Sequence, residues 1–321
     1  VEHERSFQPK AWIKGLWDNA NMLVIFLILF AACSIFVPHF FSGVNMVGLA
    51  LSVSMVGMVA CTMLFCLASG DFDLSIESVV AFSGVLAAVL INRTGSVFYG
   101  IAGGVLAGGV VGLFNGVVIT KFRINALIAT LATMQIVRGL GFIVSNGKAI
   151  GIQNASFFAL GTEGFLKIPN PVWITIACFT VFGVLLNRTT FGRNTLAIGG
   201  NREAARLAGI AVDRIKIVIF SLQGLMAGFA GVVLASRMTS GQPNISVGFS
   251  LDVISACVLG GISLSGGVGT MLGTMVGVLI MGTVQNSMNL LNMPTFYQYV
   301  ARGAILLAAV LFDQLKQKHQ A

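Results

Sequence analysis

The chain is poor in charge. Asp, Glu, Lys and Arg make up 9% of its 321 residues, against about 25% in soluble domains. A water-soluble globule of this composition would lack the polar surface to cover itself, which disfavours soluble enzymes, nucleic-acid modules and disordered tails. Histidine is nearly missing: His3, His39 and His319 are scattered over the ends and one loop, so no histidine metal site is expected. The five cysteines, Cys33, Cys61, Cys66, Cys178 and Cys257, sit in apolar runs without a CxxC or a Cys/His cluster. They read as small apolar fillers, neither disulfides nor metal ligands. A catalytic triad, paired acid–base carboxylates and a phosphate loop are also lacking. Gly141 to Ala149 (GFIVSNGKA) carries a superficial Gly…Gly-Lys, but the spacing is one residue too long and no Ser or Thr follows Lys148. The chain is expected to have no ATPase site, to bind no cofactor or metal and to do no covalent chemistry.

What the sequence does have is long apolar runs. Hydrophobic residues make up 56% of it, with a mean hydropathy of +0.91. Its length accommodates about ten membrane helices of about 20 residues each and leaves no room for a second sizeable soluble domain. The reading is one all-α polytopic membrane domain over 1–321. Its segments lie near Met22–Val37, Asn45–Ser69, Ser75–Ile91, Val97–Thr120, Asn125–Ser145, Val172–Leu186, Ile215–Ala235, Phe249–Ile262, Val268–Met288 and Thr295–Phe312. The eighth is short, which suits a half-helix or re-entrant segment. The first is too long for a signal h-region and no small-residue cleavage site follows, so it is expected to stay as an anchor. The chain opens on Val1, so a few residues are expected to precede it. Residues 1–21 carry Arg5, Lys10 and Lys14 with Trp12 and Trp17 interleaved. They suit either a cytoplasmic lead ending in an interfacial stretch or a plain terminus.

The net charge of +8 reads as the Lys/Arg excess of cytoplasmic loops and not as a nucleic-acid patch. With the N-terminus inside, thirteen basic residues fall in inner regions: Arg5, Lys10, Lys14, Lys121, Arg123, Arg188, Arg193, Arg202, Arg206, Arg214, Lys216, Lys316 and Lys318. Four fall outside: Arg93, Lys148, Lys167 and Arg237. Both termini are therefore expected in the cytoplasm, with an inner loop over 187–214 and a tail over 313–321.

A repeat runs through the chain. Gly57 to Ser69 (GMVACTMLFCLAS) aligns with Gly224 to Ser236 (GLMAGFAGVVLAS), and Ser75-Ile76-Glu77 matches Ser250-Leu251-Asp252. The ladder Gly104, Gly108, Gly112, Gly116 has a counterpart in Gly269, Gly273, Gly277, and Val137-Arg138-Gly139 matches Ala301-Arg302-Gly303. The matches keep their order, from segments 2–5 to segments 7–10. A repeat of five spans inserts its copies in opposite orientations, which is the architecture of alternating-access transporters. The glycine ladders themselves suit close helix packing.

The inner loop carries Gly199-Gly200-Asn201-Arg202-Glu203-Ala204-Ala205-Arg206-Leu207-Ala208-Gly209. Glu203 to Leu207 are good helix formers, with Asn201 placed to cap them and Gly209 to end them. Glu203-Ala204-Ala205-x-x-x-Gly209 resembles the EAA loop of ATP-binding-cassette importer permeases, which docks on the ATPase. Further motifs resemble the sugar branch of that family, which includes ribose, xylose, galactose and L-arabinose permeases. They are Gly70-Asp71-Phe72-Asp73-Leu74-Ser75, Asn115-Gly116, Ile128-Ala129-Thr130-Leu131, Phe191-Gly192-Arg193 and Gly260-Gly261-Ile262 with Gly266-Gly267. One departure is Asp71: many relatives read Gly-Gly-Ile-Asp-Leu-Ser there. The resemblance implies a sugar-translocating subunit in a bacterial inner membrane, with ATPase-coupling residues Asn201, Arg202, Glu203, Ala204, Ala205, Arg206 and Gly209. It further implies a second permease copy, two ATPase subunits or one double-domain ATPase holding ATP and magnesium, and a periplasmic sugar-binding protein. The alternatives are an ion-coupled secondary sugar transporter and a passive channel.

Arg138 and Arg302 are charges inside apolar segments, each costing about 2.5–3.5 kcal/mol to insert. They act either as donors along a pathway or as forks tying helices together. The amides Asn115, Gln135, Gln285, Asn286 and Asn289 either line a sugar path or bridge helices. Asp71, Asp73, Ser75 and Glu77 are assigned to the start of the third helix, as cap and first-turn acids.

Overall fold

The computed structural model describes residues 9–318, with side chains from Met22 to Leu311 and at Gln314. Residues 1–8 and 319–321, the outer parts of the expected lead and tail, lie outside the described residues. The fold is helical. Five helices come first: α1 (Pro9–Phe36), α2 (Gly43–Ala68), α3 (Ile76–Thr94), α4 (Val97–Lys121) and α5 (Ala126–Ser145). A connection holding β1 (Ile150–Gly151), a 3-10 turn (Ala155–Phe157), α6 (Ala159–Thr162) and the hairpin β2 (Gly164–Phe165) and β3 (Ile168–Pro169) leads to α7 (Asn170–Arg188). Then come α8 (Thr190–Gly200), α9 (Arg202–Leu207) and α10 (Val212–Met238), followed by β4 (Ser240–Gly241), α11 (Phe249–Leu259), α12 (Met271–Leu290) and α13 (Thr295–Lys318).

Helix starts follow local chemistry. Ser42, Asn125 and Thr270 cap α2, α5 and α12, their side-chain oxygens accepting from the backbone N–H of Asn45, Leu127 and Gly273. Among the described residues, seven helices, α2, α3, α4, α5, α7, α10 and α12, are long and apolar enough to cross a membrane. Three further apolar stretches are shorter: Met22–Phe36 in α1, the 11-residue α11, and Thr295–Leu311 in α13.

The inner loop differs from expectation. Its first half, expected as loop, is the helix α8. Thr189 Oγ1 accepts from Gly192 N–H at 3.3 Å, and Phe191, Thr195 and Ile198 repeat at helical spacing and turn toward the protein. The run was too polar on average to stand out as a span, but its periodicity is that of a docked surface helix.

Helix α2 is the central element, packed by α7, α10, α11 and α12, while α10 packs against α3 and α4. The ladder Gly104 to Gly116 is buried and faces α3 and α10. A Cβ on Gly108 would overlap the Gly224 carbonyl, and one on Gly112 the Phe220 carbonyl. Here glycine is required because two backbones touch. In the second ladder, Gly273 and Gly277 meet Gly260 and Ala256 of the α11 end, whereas Gly269 precedes α12 and touches Ile262. The outward faces of α4, α5 and α7 expose Leu106, Val110, Ile128, Ile136, Ile176 and Val181.

The two ends of the bundle are unlike. At the basic end, α8 lies against the end of α2, where Gly199 touches Ala68 and Gly267, and α9 packs on α8 and α10. At the opposite end, β1 pairs with β4, and the β2–β3 hairpin lies beside α7.

Candidate functional site

Two buried carboxylates and two partly buried guanidiniums form two ion pairs within the bundle. Glu77, in the first turn of α3, meets Arg138 of α5 at 3.4 Å. Arg138 Nη1 also donates to the carbonyls of Pro243 and Ile245, at 2.9 and 2.8 Å. The second carboxylate oxygen of Glu77 accepts from Gly248 N–H at 3.0 Å and from Ser250 Oγ at 3.1 Å. One carboxylate thus joins α3, α5 and the start of α11. Asp252, in the first turn of α11, meets Arg302 of α13 at 3.3 Å, with the Tyr299 ring 5.8 Å from the guanidinium carbon. Gln285 of α12 stands beside Asp252. Neither arginine is left alone among apolar side chains, the costly alternative for a charge removed from water.

The two pairs are alike in sequence context. Glu77 and Asp252 each follow a serine by two positions, and Arg138 and Arg302 each precede a glycine. In each pair a first-turn acid of one helix meets an arginine of another. Helix α4 lies on α3 and α10, and α12 on α11 and α2.

The remaining polar residues are dispersed. Toward the basic end, Asn115 is fully buried and donates from Nδ2 to Ser75 Oγ at 3.0 Å. Ser75 in turn donates to Asp73 Oδ1 from both its hydroxyl, at 2.6 Å, and its N–H, at 2.9 Å. Asp73 thus folds the turn before α3 through Ser75, and Ser75 occupies the N-cap position without a side-chain cap bond of its own. Burial pushes the Asp73 carboxyl up to about 6, against the opposing pull of the Ser75 bonds. Asp71 takes a different role, pairing with Lys216 of α10 at 2.7 Å. At the opposite end, Asn286 and Asn45 exchange two amide hydrogen bonds, at 2.9 and 2.8 Å. Asn289 accepts from Gln298 at 3.0 Å. Gln135 is exposed on α5. The seven residues considered for a pathway are therefore not gathered in one place. Arg138, Gln285 and Arg302 belong to the central pairs, while Asn115, Asn286 and Asn289 bridge helices nearer the ends.

The α9 helix is built as its residues dictate. Asn201 Oδ1 accepts from Ala204 N–H at 2.9 Å. Gly209 is left-handed at φ +80°, its N–H donating to Arg206 O while Ile210 N–H donates to Ala205 O. This is a Schellman ending, which favours glycine at that position. Ala205 is buried on Ile198 and Val212, while Arg202, Glu203, Ala204 and Arg206 are exposed and Leu207 is 82% exposed. Arg202 and Arg206 both reach Asp213, at 3.8 and 3.5 Å. The helix is thus anchored by one alanine and presents its other faces outward from the basic end.

Sequence reasoning passed over Lys216, Ser250 and Asp252 as site residues. Lys216 counted as a loop charge, whereas it lies inside α10 and is 4% exposed. The repeat match of Ser75-Ile76-Glu77 with Ser250-Leu251-Asp252 was the available signal for the other two. Among the described residues, no three His, Cys, Asp or Glu side chains come together as a metal site.

The model of the family described as "Branched-chain amino acid transport system / permease component" matches residues 45–310. The chain is 63% identical over 303 residues to the L-arabinose transport system permease protein AraH of Escherichia coli (strain K12), covering 94% of this chain and 92% of that protein. It is 59% identical over 309 residues to the L-arabinose ABC transporter permease protein AraH of Azospirillum brasilense, covering 95% and 91%. To the ribose import permease protein RbsC of Bacillus subtilis (strain 168) it is 40% identical over 318 residues, covering 98% and 99%. No solved structure matches the chain.

Proposed function

The chain belongs to the branched-chain amino acid transport system / permease component family, and from that premise we propose that it is the membrane subunit of an ATP-driven importer whose cargo is L-arabinose. The observation that carries the sugar assignment is the 63% identity, over 94% of the chain, to a protein named for L-arabinose transport. It is a multi-pass membrane protein and works without an ATPase site of its own. Its partners are a second permease copy, ATP-binding-cassette subunits that hold ATP and magnesium, and a periplasmic sugar-binding protein.

In this reading ten segments cross or enter the bacterial inner membrane, both termini are cytoplasmic, and the basic end faces the ATPase. Two inverted five-segment repeats account for the matched pairs Glu77–Arg138 and Asp252–Arg302. ATPase closure moves α9. The motion passes to α8 through the Ala205–Ile198 contact, and from α8 to the end of α2, where Gly199 meets Ala68. Helix α2 touches α7, α10, α11 and α12, so tilting it opens one end of the bundle as it closes the other. The central pairs hold the starts of α3 and α11 against α5 and α13 while this happens. A sugar released by a binding protein needs only weak contacts on the way through, since tight ones would retain it.

The test is uptake of labelled L-arabinose by a bacterium lacking its own arabinose permease, complemented with this chain, its ATPase and its binding protein. Saturable uptake unaffected by excess ribose is expected. Uptake of ribose but not arabinose would overturn the sugar assignment. Uptake that persists with an ATPase inactivated in its nucleotide site would overturn ATP coupling.

A further inference from the structure

A cleft of about 300 Å³ opens at the basic end, between α9 and the turn that joins α4 to α5. Three guanidiniums line it: Arg123 from the turn, and Arg202 and Arg206 from α9. Their charge is poorly neutralised. Arg202 and Arg206 share the single carboxylate of Asp213 at 3.8 and 3.5 Å, and Arg123 enters no ion pair among the described residues. The acid in the lining is Asp71, whose charge is already taken by Lys216 at 2.7 Å. The N-terminus of the 20-residue α5 also opens here, through Asn125 and Ala126, and adds the positive end of its dipole. The cleft is therefore an anion seat by two independent features, a cluster of guanidiniums and a helix start.

The surroundings give the anion a tail. Phe122 and Ile124 flank Arg123 on the same turn and are 71% and 41% exposed. Above them, the outward faces of α4 and α5 expose Val110, Leu113, Phe114, Ile128 and Leu131. This is the face such helices turn to acyl chains. A ligand with a phosphate in the cleft and hydrocarbon along α4 and α5 matches both surfaces.

We propose that this cleft binds the phosphate of an anionic phospholipid from the leaflet at the basic end, bridging the α4–α5 turn to α9. Basic pockets at the membrane boundary favour such headgroups. The bound lipid would hold α9 to the body of the permease, so that movement of α9 is passed on and not lost as slack. The binding itself does not depend on the transport reading; only the consequence for coupling rests on it.

The test uses the purified permease alone, without ATPase, sugar or nucleotide. Retention of phosphatidylglycerol against phosphatidylcholine is counted by native mass spectrometry after reconstitution from a mixture of the two. Selective retention is expected, falling about fivefold for each guanidinium removed in Arg123→Gln and Arg206→Gln. Both side chains are exposed, so the variants should fold, and Arg93→Gln at the far end of α3 serves as the control that leaves retention unchanged. Equal retention of the two lipids, or phosphatidylglycerol lost equally in Arg93→Gln, overturns the proposal. So does stabilisation of the detergent-solubilised permease by inorganic phosphate without lipid selectivity, which would make this a site for the free anion. Arginine variants that keep their lipid but lose the ATPase on co-purification would assign the cleft to an acidic side chain of that partner instead. If arabinose uptake fails while lipid selectivity stands, the sugar reading is wrong and the lipid site remains.

Discussion

Lys216 and Asp71 form the shortest ion pair among the described residues, 2.7 Å between Nζ and Oδ2, with the lysine side chain 4% exposed. The pair ties α10 to the turn before α3. The acid answers a buried lysine. Removing one partner strands the other, a loss of about 3–5 kcal/mol, whereas replacing both with apolar groups is often neutral. Asp71→Asn should therefore lower the melting temperature of the permease in detergent sharply, and Asp71→Gly combined with Lys216→Met should recover most of it. A double variant as unstable as the single one would mean that Asp71 acts elsewhere.

Arg138 and Arg302 are expected to differ in what they hold. Arg138 serves one carboxylate and two backbone carbonyls, so Arg138→Ala releases the 243–245 segment as well as Glu77. Arg302 serves Asp252 and rests near the Tyr299 ring. Both substitutions should lower the yield of folded protein as well as transport, Arg138→Ala more severely, as read by monodisperse protein recovered per cell. Transport lost at unchanged yield would instead make them pathway residues.

Glu203→Lys and Gly209→Asp should abolish uptake while the protein still reaches the membrane. Glu203 is exposed on α9, so its reversal disturbs a docking surface and not a core. Gly209 has open space around its Cα but a φ of +80°, so any side chain there strains the turn that ends α9. Membrane fractions probed for the permease, alongside uptake assays, separate the two effects. Normal uptake in either variant would remove α9 from the coupling path.

Glycines that look alike in sequence should respond oppositely. Gly112→Ala drives a methyl into the Phe220 carbonyl of α10 and should cost folded protein. Gly139→Ala meets nothing within 4 Å and sits inside α5, where replacing glycine gains roughly 0.5–1 kcal/mol of helix stability. Thermal melts of the two variants test this directly; a stabilised Gly112→Ala would contradict the α4–α10 contact.

Reporter fusions check the orientation. Enzyme tags active only in the cytoplasm should work after Arg193 and at Lys316, and a periplasmic tag should work after Ala155. A cytoplasmic signal at Ala155 would overturn the span count between Asn125 and Leu186.

Much of this was readable without coordinates, because it depends on composition and short-range chemistry. Runs of apolar residues must be helices in a bilayer, where every backbone polar group needs an internal partner. Asn201 and Gly209 announce the ends of α9 by their own conformational and hydrogen-bonding preferences. The α8 helix was missed because its periodic face, Phe191, Thr195 and Ile198, is embedded in a run too polar to register as a span.

What only the tertiary structure decided is which polar residue answers which. Glu77 lies 61 positions from Arg138 and 171 from Gly248, and Asp71 lies far from Lys216 along the chain. A carboxylate in an apolar segment must find a cation or a donor, but nothing local says which one, since several lie within reach of some packing. That choice is made when α2 is enclosed by its neighbours and the glycine ladders let α4 and α10 close to backbone contact. Local chemistry set the elements and their ends; long-range packing, which depends on all of them at once, set the pairs.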